Sequence, residues 1–296
     1  MDSSEQIPAE RFGYYTPGNI VRCLIRLAQR MPRNSLGIHC AHLIRSIVTR
    51  YASLPVDLDV EDLHLRCFLR DNYSEKKFVF TPWRYDGEER AYLRRRLPPD
   101  GVFLDIGANV GLYSLNALRV LDERGTLIAV EPNPAIHERL RFNLESNQPD
   151  PSARPRIHTV QAGVSDQEAT LELHLHPTNL GQSSLRQEAV NETASTVSIP
   201  CRPLLTLLDE LGIDHLSAIK IDIEGAEDRA LMPFLASAPD SLLPGFIMME
   251  NSEEAWGQPL PEQLAERGYR CIHRFSMNSI YRRDTTPATP EGAATA

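Results

Sequence analysis

Two hydrophobic periods follow one another along this chain. Ile20, Val21, Leu24, Ile25 and Leu27, and then Leu43, Ile44, Ile47 and Val48, recur at the three-to-four-residue interval of a helix face. Pro32 and Gly37 separate the two runs, so a pair of amphipathic helices is expected. Between Leu54 and Phe80 the interval shortens to two, through Val56, Leu58 and Val60, then Leu63, Leu65, Cys67 and Leu69, then Phe78 and Phe80. That alternation predicts a small antiparallel strand set. Asp86-Gly87 opens a polar helix over 88–96, and Leu97-Pro98-Pro99-Asp100-Gly101 ends it.

Beyond Gly101 apolar strand-length runs alternate with helical ones, the order that produces a parallel sheet covered on both faces. Strands are expected over 102–106, 126–130, 157–161, 218–222 and 246–250, and helices over 112–121, 134–146, 204–211, 226–236 and 261–267. Gly268 caps the last helix, and 269–275 and 279–282 read as two closing strands. An alternating stretch over 170–176 reads as a hairpin inserted into this order. The fold class expected is α/β, a doubly wound, mostly parallel seven-stranded sheet with an N-terminal helical and small antiparallel β extension. The boundaries follow the breaks: an extension over 1–97, a main domain over 98–284, and a tail over 285–296 that lacks bulky apolar side chains and is expected to be disordered.

Composition narrows the class without naming an activity. The 296 residues are 42% hydrophobic and 24% charged, which is ordinary globular usage. Five scattered cysteines form no CxxC pair, so neither a zinc site nor a disulfide framework is expected. No apolar run is long enough to cross a bilayer, and the opening residues lack the order of a secretory signal, so a cytoplasmic location is expected. The net charge of −9 argues against nucleic acid as a partner. It is unevenly spread, because residues 11–50 hold seven arginines and no Asp or Glu. Either these arginines face water from helices packed on the main domain, or they meet an anionic membrane surface or acidic partner.

The chemistry sits at strand ends. Asp105-Ile106-Gly107-Ala108-Asn109-Val110-Gly111 falls where the first strand turns into a helix, at the rim where open parallel sheets bind ligands. Gly107 and Gly111 suit a tight turn and a close backbone approach. Asn109 stands where a dinucleotide fingerprint needs glycine, and Asp105 would repel a pyrophosphate while suiting an ammonium group. Glu131 ends the second strand and can accept both hydroxyls of a ribose. Ser165-Asp166 follow the third strand with a polar end suited to an adenine edge. Asp222 and Glu224, one residue apart after the fourth strand, can serve as a general base, hold a hard cation such as Mg²⁺, or cap the following helix. Glu250-Asn251 ends the fifth strand on the same rim.

Asp105 to Gly111, Glu131-Pro132-Asn133-Pro134, Val164-Ser165-Asp166, Gly181-Gln182-Ser183-Ser184-Leu185 and Lys220 to Glu227 occur in one order. In these motifs the chain resembles the FkbM family of S-adenosylmethionine-dependent methyltransferases, over about residues 104–275. Gln182 stands where related chains often carry glycine. The resemblance implies a Rossmann-like class I methyltransferase fold and S-adenosyl-L-methionine as cofactor. It implies that Asp105, Gly107, Asn109 and Gly111 line the methionine end, that Glu131 with Asn133 holds the ribose, and that Ser165 and Asp166 lie near adenine. It further implies O-methylation of a hydroxyl on a sugar, glycan or polyketide-type small molecule. Asp222, Glu224 and Glu250 are the expected catalytic carboxylates, with Asp222 and Glu224 the ligands of any metal and His273 a substitute base. Acceptor contacts are expected from residues 177–200, the Trp256 loop and the N-terminal helices. The rival readings are an NAD(P)-dependent oxidoreductase, supported by the strand–glycine–helix turn and Glu131, and a non-catalytic scaffold.

Overall fold

The computed structural model describes residues 10–148, 155–176, 178–185 and 195–284. The N-terminal helix pair forms as the periodicity predicts: α1 (Asn19–Gln29) and α2 (Ser35–Tyr51), the second capped by the Asn34 side chain, which accepts from the Gly37 N–H at 2.9 Å. β1 (Val56–Val60) and β2 (Leu63–Cys67) pair antiparallel across Glu61 and Asp62, both at positive φ, the geometry a two-residue hairpin turn demands. The third member of the expected strand set is instead a helix, α3 (Tyr73–Phe80). Asn72 caps it by accepting from the Glu75 N–H, and Val79 is as fully buried as Phe78 and Phe80. The alternation read there was therefore a helix buried on adjacent sides. The polar helix α4 (Gly87–Arg96) follows as expected.

The remaining elements are β3 (Val102–Ile106), α5 (Leu112–Leu118), β4 (Thr126–Val130), α6 (Pro134–Ser146), β5 (Arg156–Val160), β6 (Gly163–Val164), β7 (Ala169–His174), β8 (Thr196–Arg202), α7 (Leu204–Glu210), β9 (Ala218–Ile221), α8 (Glu227–Ser237), β10 (Phe246–Glu250), α9 (Leu260–Glu266), β11 (Tyr269–Arg274) and β12 (Asn278–Arg283). Seven of these strands form one sheet in the order β11-β12-β10-β9-β3-β4-β5. The pairs from β10 to β5 are parallel, and β12 joins β10 and β11 antiparallel. This is the doubly wound, mostly parallel sheet expected. Strand order reverses between β3 and β9, and that switch point places the site.

The inserted alternation at 170–176 has its partner far downstream. β7 pairs antiparallel with β8, and β6 adds a third strand on the other side of β8. β8 escaped the sequence reading because Thr196, Ser198 and Pro200 dilute its pattern, although Ile199 and Cys201 pack on Leu173 in a small core of their own. The tail over 285–296 and part of the 177–200 segment lie outside the described residues.

Period two along the central strands divides the core. Phe103, Leu127, Ala129, Phe246, Met248 and Ile280 share one hydrophobic cluster with α5, α6 and the N-terminal residues Ile25, Val48, Leu65, Phe78 and Leu93. Leu104, Ile128, Ile219, Ile247 and Tyr281 face a second cluster beneath α7, α8 and α9. The N-terminal elements are thus packed on one face of the sheet, where they also wall the site.

Candidate active site

On the face shared with α5, the strands turn polar at their C-terminal ends. Asp105 of β3 and Lys220 of β9 are register partners, as are Glu250 of β10 and Asn278 of β12. Asp105 is 2% exposed and accepts from Ser114 Oγ at 2.5 Å. Burial pushes its carboxyl up to about 6, against the opposing influence of Ser114 and Lys220. Lys220 is equally buried, and its Nζ donates to Asp222 Oδ2 at 3.1 Å and Asn278 Oδ1 at 3.2 Å while lying 5.2 Å from the Tyr113 ring centre. Burial works to lower its pKa, but Asp222, Asp86 and Asp105 together hold it above the ordinary lysine value.

These groups line a cavity whose opposite wall comes from the N-terminal extension: Tyr73, Ser74 and Lys77 of α3, with Tyr85 and Asp86. Asp86 sits 3.6 Å from Lys77 Nζ and accepts from Tyr113 Oη at 3.2 Å.

A second cleft adjoins the first. It is lined by Ile106, Val130, Glu131, Pro132, Ala162, Gly163, Val164, Leu173, Leu180, Leu185 and Ile223, and it shares Gly107, Gly181, Asp222 and Glu224 with its neighbour. Among the described residues no lysine or arginine lines it. Glu131, 7% exposed, accepts the Asn109 N–H on Oε2 and the Asn133 N–H on Oε1, each at 2.9 Å. Burial raises its carboxyl to about 7 although both N–H groups favour the charged form. Each oxygen keeps a further lone pair, so the group remains able to accept from a ligand hydroxyl.

The glycines and Asn109 act differently from the simple reading. Gly107 has φ +75°, and a Cβ there would lie 1.9 Å from the Asp222 carbonyl oxygen. What approaches closely is the neighbouring strand end. Gly111, at φ +90°, caps α5, and its Cβ would meet Leu140 of α6 at 2.7 Å. It lines neither cavity. Asn109 adopts φ 51°, and its Oδ1 accepts from Val110 N at 2.8 Å and Asn72 Nδ2 at 2.7 Å. Its side chain ties the loop to the start of α3. Asn133 is the cap of α6, accepting from Ala135 N, and enters the site through its own N–H. Ser165 and Asp166 lie beyond the Ala162–Val164 lining, with Ser165 Oγ donating to Asp166 Oδ1 at 3.0 Å.

Asp222, Glu224 and Glu250 do converge on the first cavity, and Glu250 accepts from Ser252 Oγ at 3.0 Å. Glu224 is held there by a left-handed loop, φ 55° followed by Gly225 at 89°. Burial, then Asp222 and the neighbouring glutamates, raises the Glu224 and Glu250 carboxyls well above the usual range. Among the described residues no three His, Cys, Asp or Glu side chains form a group that could hold a metal ion. His273 is exposed on β11, stacked on Phe275, and lines neither cavity. Trp256 donates to Glu227 Oε2 at 2.9 Å, and Glu227 Oε1 accepts the Ile223 N–H, so both brace the loop that carries Asp222 and Glu224 from behind.

Sequence reasoning quoted Lys220 without giving it a role and passed over Asn278, Tyr113 and the α3 wall. Lys220 was legible as a charge inside the apolar strand Ala218–Ile221, because a buried ammonium requires partners. The α3 wall carried no comparable signal.

Fold and site together define a Rossmann-like α/β domain with acidic strand tips at its switch point. The family model described as "Methyltransferase FkbM domain" matches residues 105–271. The chain belongs to the FkbM methyltransferase family. Among relatives, it is 29% identical to "Methyltransferase sdnD" of Sordaria araneosa over 52% of this chain and 66% of that protein. It is 28% identical to "31-O-demethyl-FK506 methyltransferase FkbM" of Streptomyces tacrolimicus over 54% of this chain and 69% of that protein. The matched region therefore spans about two thirds of these relatives' length. A crystal structure of "Methyltransferase FkbM" from Methylobacillus flagellatus KT overlays with a TM-score of 0.39 at 17% identity, covering 72% of this chain and 55% of that one. No helix among the described residues is long and apolar enough to cross a membrane.

Proposed function

We propose that this protein is an S-adenosylmethionine-dependent O-methyltransferase acting on a hydroxyl of a sugar, glycan or polyketide-type small molecule. The observation that carries the reading is the lining of the second cleft, small and apolar side chains with Glu131, Asp222 and Glu224 and, among the described residues, no basic group. Such a lining suits a nucleoside that bears a positive charge and disfavours a dinucleotide pyrophosphate. S-adenosylmethionine, when bound, supplies an electrophilic methyl group on a sulfonium. Glu131 is the residue that would hold its ribose, Ala162–Val164 would flank its base, and Asp105 and Asp222 would meet its charged end. Oxygen as the acceptor atom draws support from the relative named for 31-O-demethyl-FK506.

The first cavity then receives the acceptor. Lys220 keeps a positive charge against Asp222, while Glu224 and Glu250 are crowded into retaining protons. A hydroxyl is a weak nucleophile until its proton is taken, and Asp222, held against Lys220 and adjoining Glu224 and Glu250, is the carboxylate at which this proton sink meets the acceptor. The N-terminal wall of Tyr73, Lys77, Tyr85 and Asp86 closes the side opposite the strand tips and shields the acceptor from water.

Calorimetry tests the cofactor. S-adenosylhomocysteine is expected to bind and NAD not to bind; the absence of heat with S-adenosylhomocysteine on folded protein refutes the reading. A mass-spectrometric screen of hydroxylated glycosides and polyketides tests the acceptor. With an acceptor in hand, Asp222→Asn, Glu224→Gln and Glu250→Gln should each lower turnover, and retention of normal turnover by all three removes the proton-sink assignment.

A further inference from the structure

The large hydrophobic side chains that stay exposed are not scattered. Among the described residues, Tyr14, Ile20, Leu27, Leu36, Leu43, Ile47 and Tyr51 all belong to the N-terminal helix pair and its flanks, and the other two, Tyr73 and Met277, line the first cavity. Along α1, Ile20 and Leu27 lie two turns apart on one face, and along α2 Leu36, Leu43, Ile47 and Tyr51 do the same. Leu36 is 73% exposed and Tyr51 77%, far beyond what packing on the main domain leaves over. Arg22, Arg26, Arg30, Arg33 and Arg50 stand exposed beside them. Among the described residues none of these arginines has a carboxylate within ion-pair distance, whereas buried Arg66 and Arg90 pair with Asp57 and Glu61. Arg45 extends the strip to the cavity, its guanidinium 5.9 Å from the ring centre of Tyr73.

We propose that the exposed face of α1 and α2 docks on an anionic lipid bilayer, with the mouth of the first cavity at the edge of the docked surface. The chemistry favours a membrane over an acidic protein. Every charged group on the face is an arginine, and its apolar residues are single bulky side chains spread over two helices. A headgroup layer asks only for such cations and insertable side chains, whereas a specific protein partner is selected by a mixture of charges. The rest of the chain carries the acidic excess and is repelled from the same surface, which orients the bound molecule.

Co-sedimentation of the full chain with vesicles tests this independently of any methyl transfer. Vesicles of one part phosphatidylglycerol to two parts phosphatidylcholine are expected to carry the protein down at low salt, and pure phosphatidylcholine vesicles to carry little. The Leu43→Ser/Ile47→Ser double variant should bind the anionic vesicles at least about tenfold more weakly. Arg26→Glu/Arg30→Glu should lose a similar factor, as does wild type in about 0.5 M salt. All four side chains are exposed, and unchanged melting curves will verify that the variants fold. No partition of folded wild type into the anionic vesicles overturns the proposal, as does equal binding by the double variants, or capture of an acidic protein without vesicle binding.

Discussion

Glu131→Ala separates two jobs that the structure gives to one carboxylate. Its two oxygens satisfy the Asn109 and Asn133 N–H groups at 2.9 Å each. Truncation leaves both donors without a partner in a largely buried site, at about 1–3 kcal/mol each. Part of that loss is offset, because the carboxyl is costly to keep ionised, as its rise to about 7 records. A net destabilisation of about 2–4 kcal/mol is expected, read as a fall in Tm of roughly 5–10 °C. The second job is the ribose. Losing two hydroxyl contacts to a charged acceptor should cost a further 2 kcal/mol or so in affinity, roughly 30-fold in the Kd for S-adenosylhomocysteine. Differential scanning fluorimetry reads the first effect, and calorimetry well below the variant's Tm reads the second. A lowered Tm with an unchanged Kd would leave Glu131 as a loop brace only and refute the ribose assignment. An unchanged Tm would refute the bracing argument.

Gly107→Ala must place a Cβ against the Asp222 carbonyl at positive φ, so a loss of at least about 2 kcal/mol in chemical denaturation is expected, with stability near wild type the refuting result. Lys220→Met removes the cation between Asp105 and Asp222 while keeping the side-chain bulk, and should move the acid limb of the pH–rate profile upward as the carboxyls hold their protons more strongly; an unmoved limb contradicts this. Between pH 7 and 9 the unfolded chain has already released the protons that Glu224 retains when folded, its pKa lying near 9. The retained proton stabilises the fold most below the unfolded carboxyl value, and that stability drains away as pH rises, at up to about 1.4 kcal/mol per pH unit. Tm should therefore decline across this range and decline less in Glu224→Gln; a flat or rising wild-type curve rejects it.

Much of the frame was readable because it is local. Strand 126–130, helix 134–146 and strand 246–250 fall where apolar runs, Pro134 and the turn residues place them. The family motifs lie at strand ends for the same reason, so Asp105, Glu131, Asp222, Glu224 and Glu250 do gather on one rim. Misreadings occurred where local pattern was outweighed. Phe78 and Phe80 alternate like a strand, but the Asn72 cap and burial from several sides make a helix. β8 is a poor strand by composition, held by pairing with β7 and by the burial of Ile199 and Cys201.

Chain order and residue chemistry by themselves determined that this is a doubly wound sheet with acidic strand tips, since period and end residues are properties of short segments. Which groups touch was decided only in three dimensions. The glycine loop needs its glycine because β9's end crosses it, Asn109 reaches to Asn72 across 37 positions of sequence, and Lys220 finds Asn278 across 58. Burial then raises the carboxyls of Asp105, Glu131, Glu224 and Glu250, and burial is a property of packing that no single segment carries.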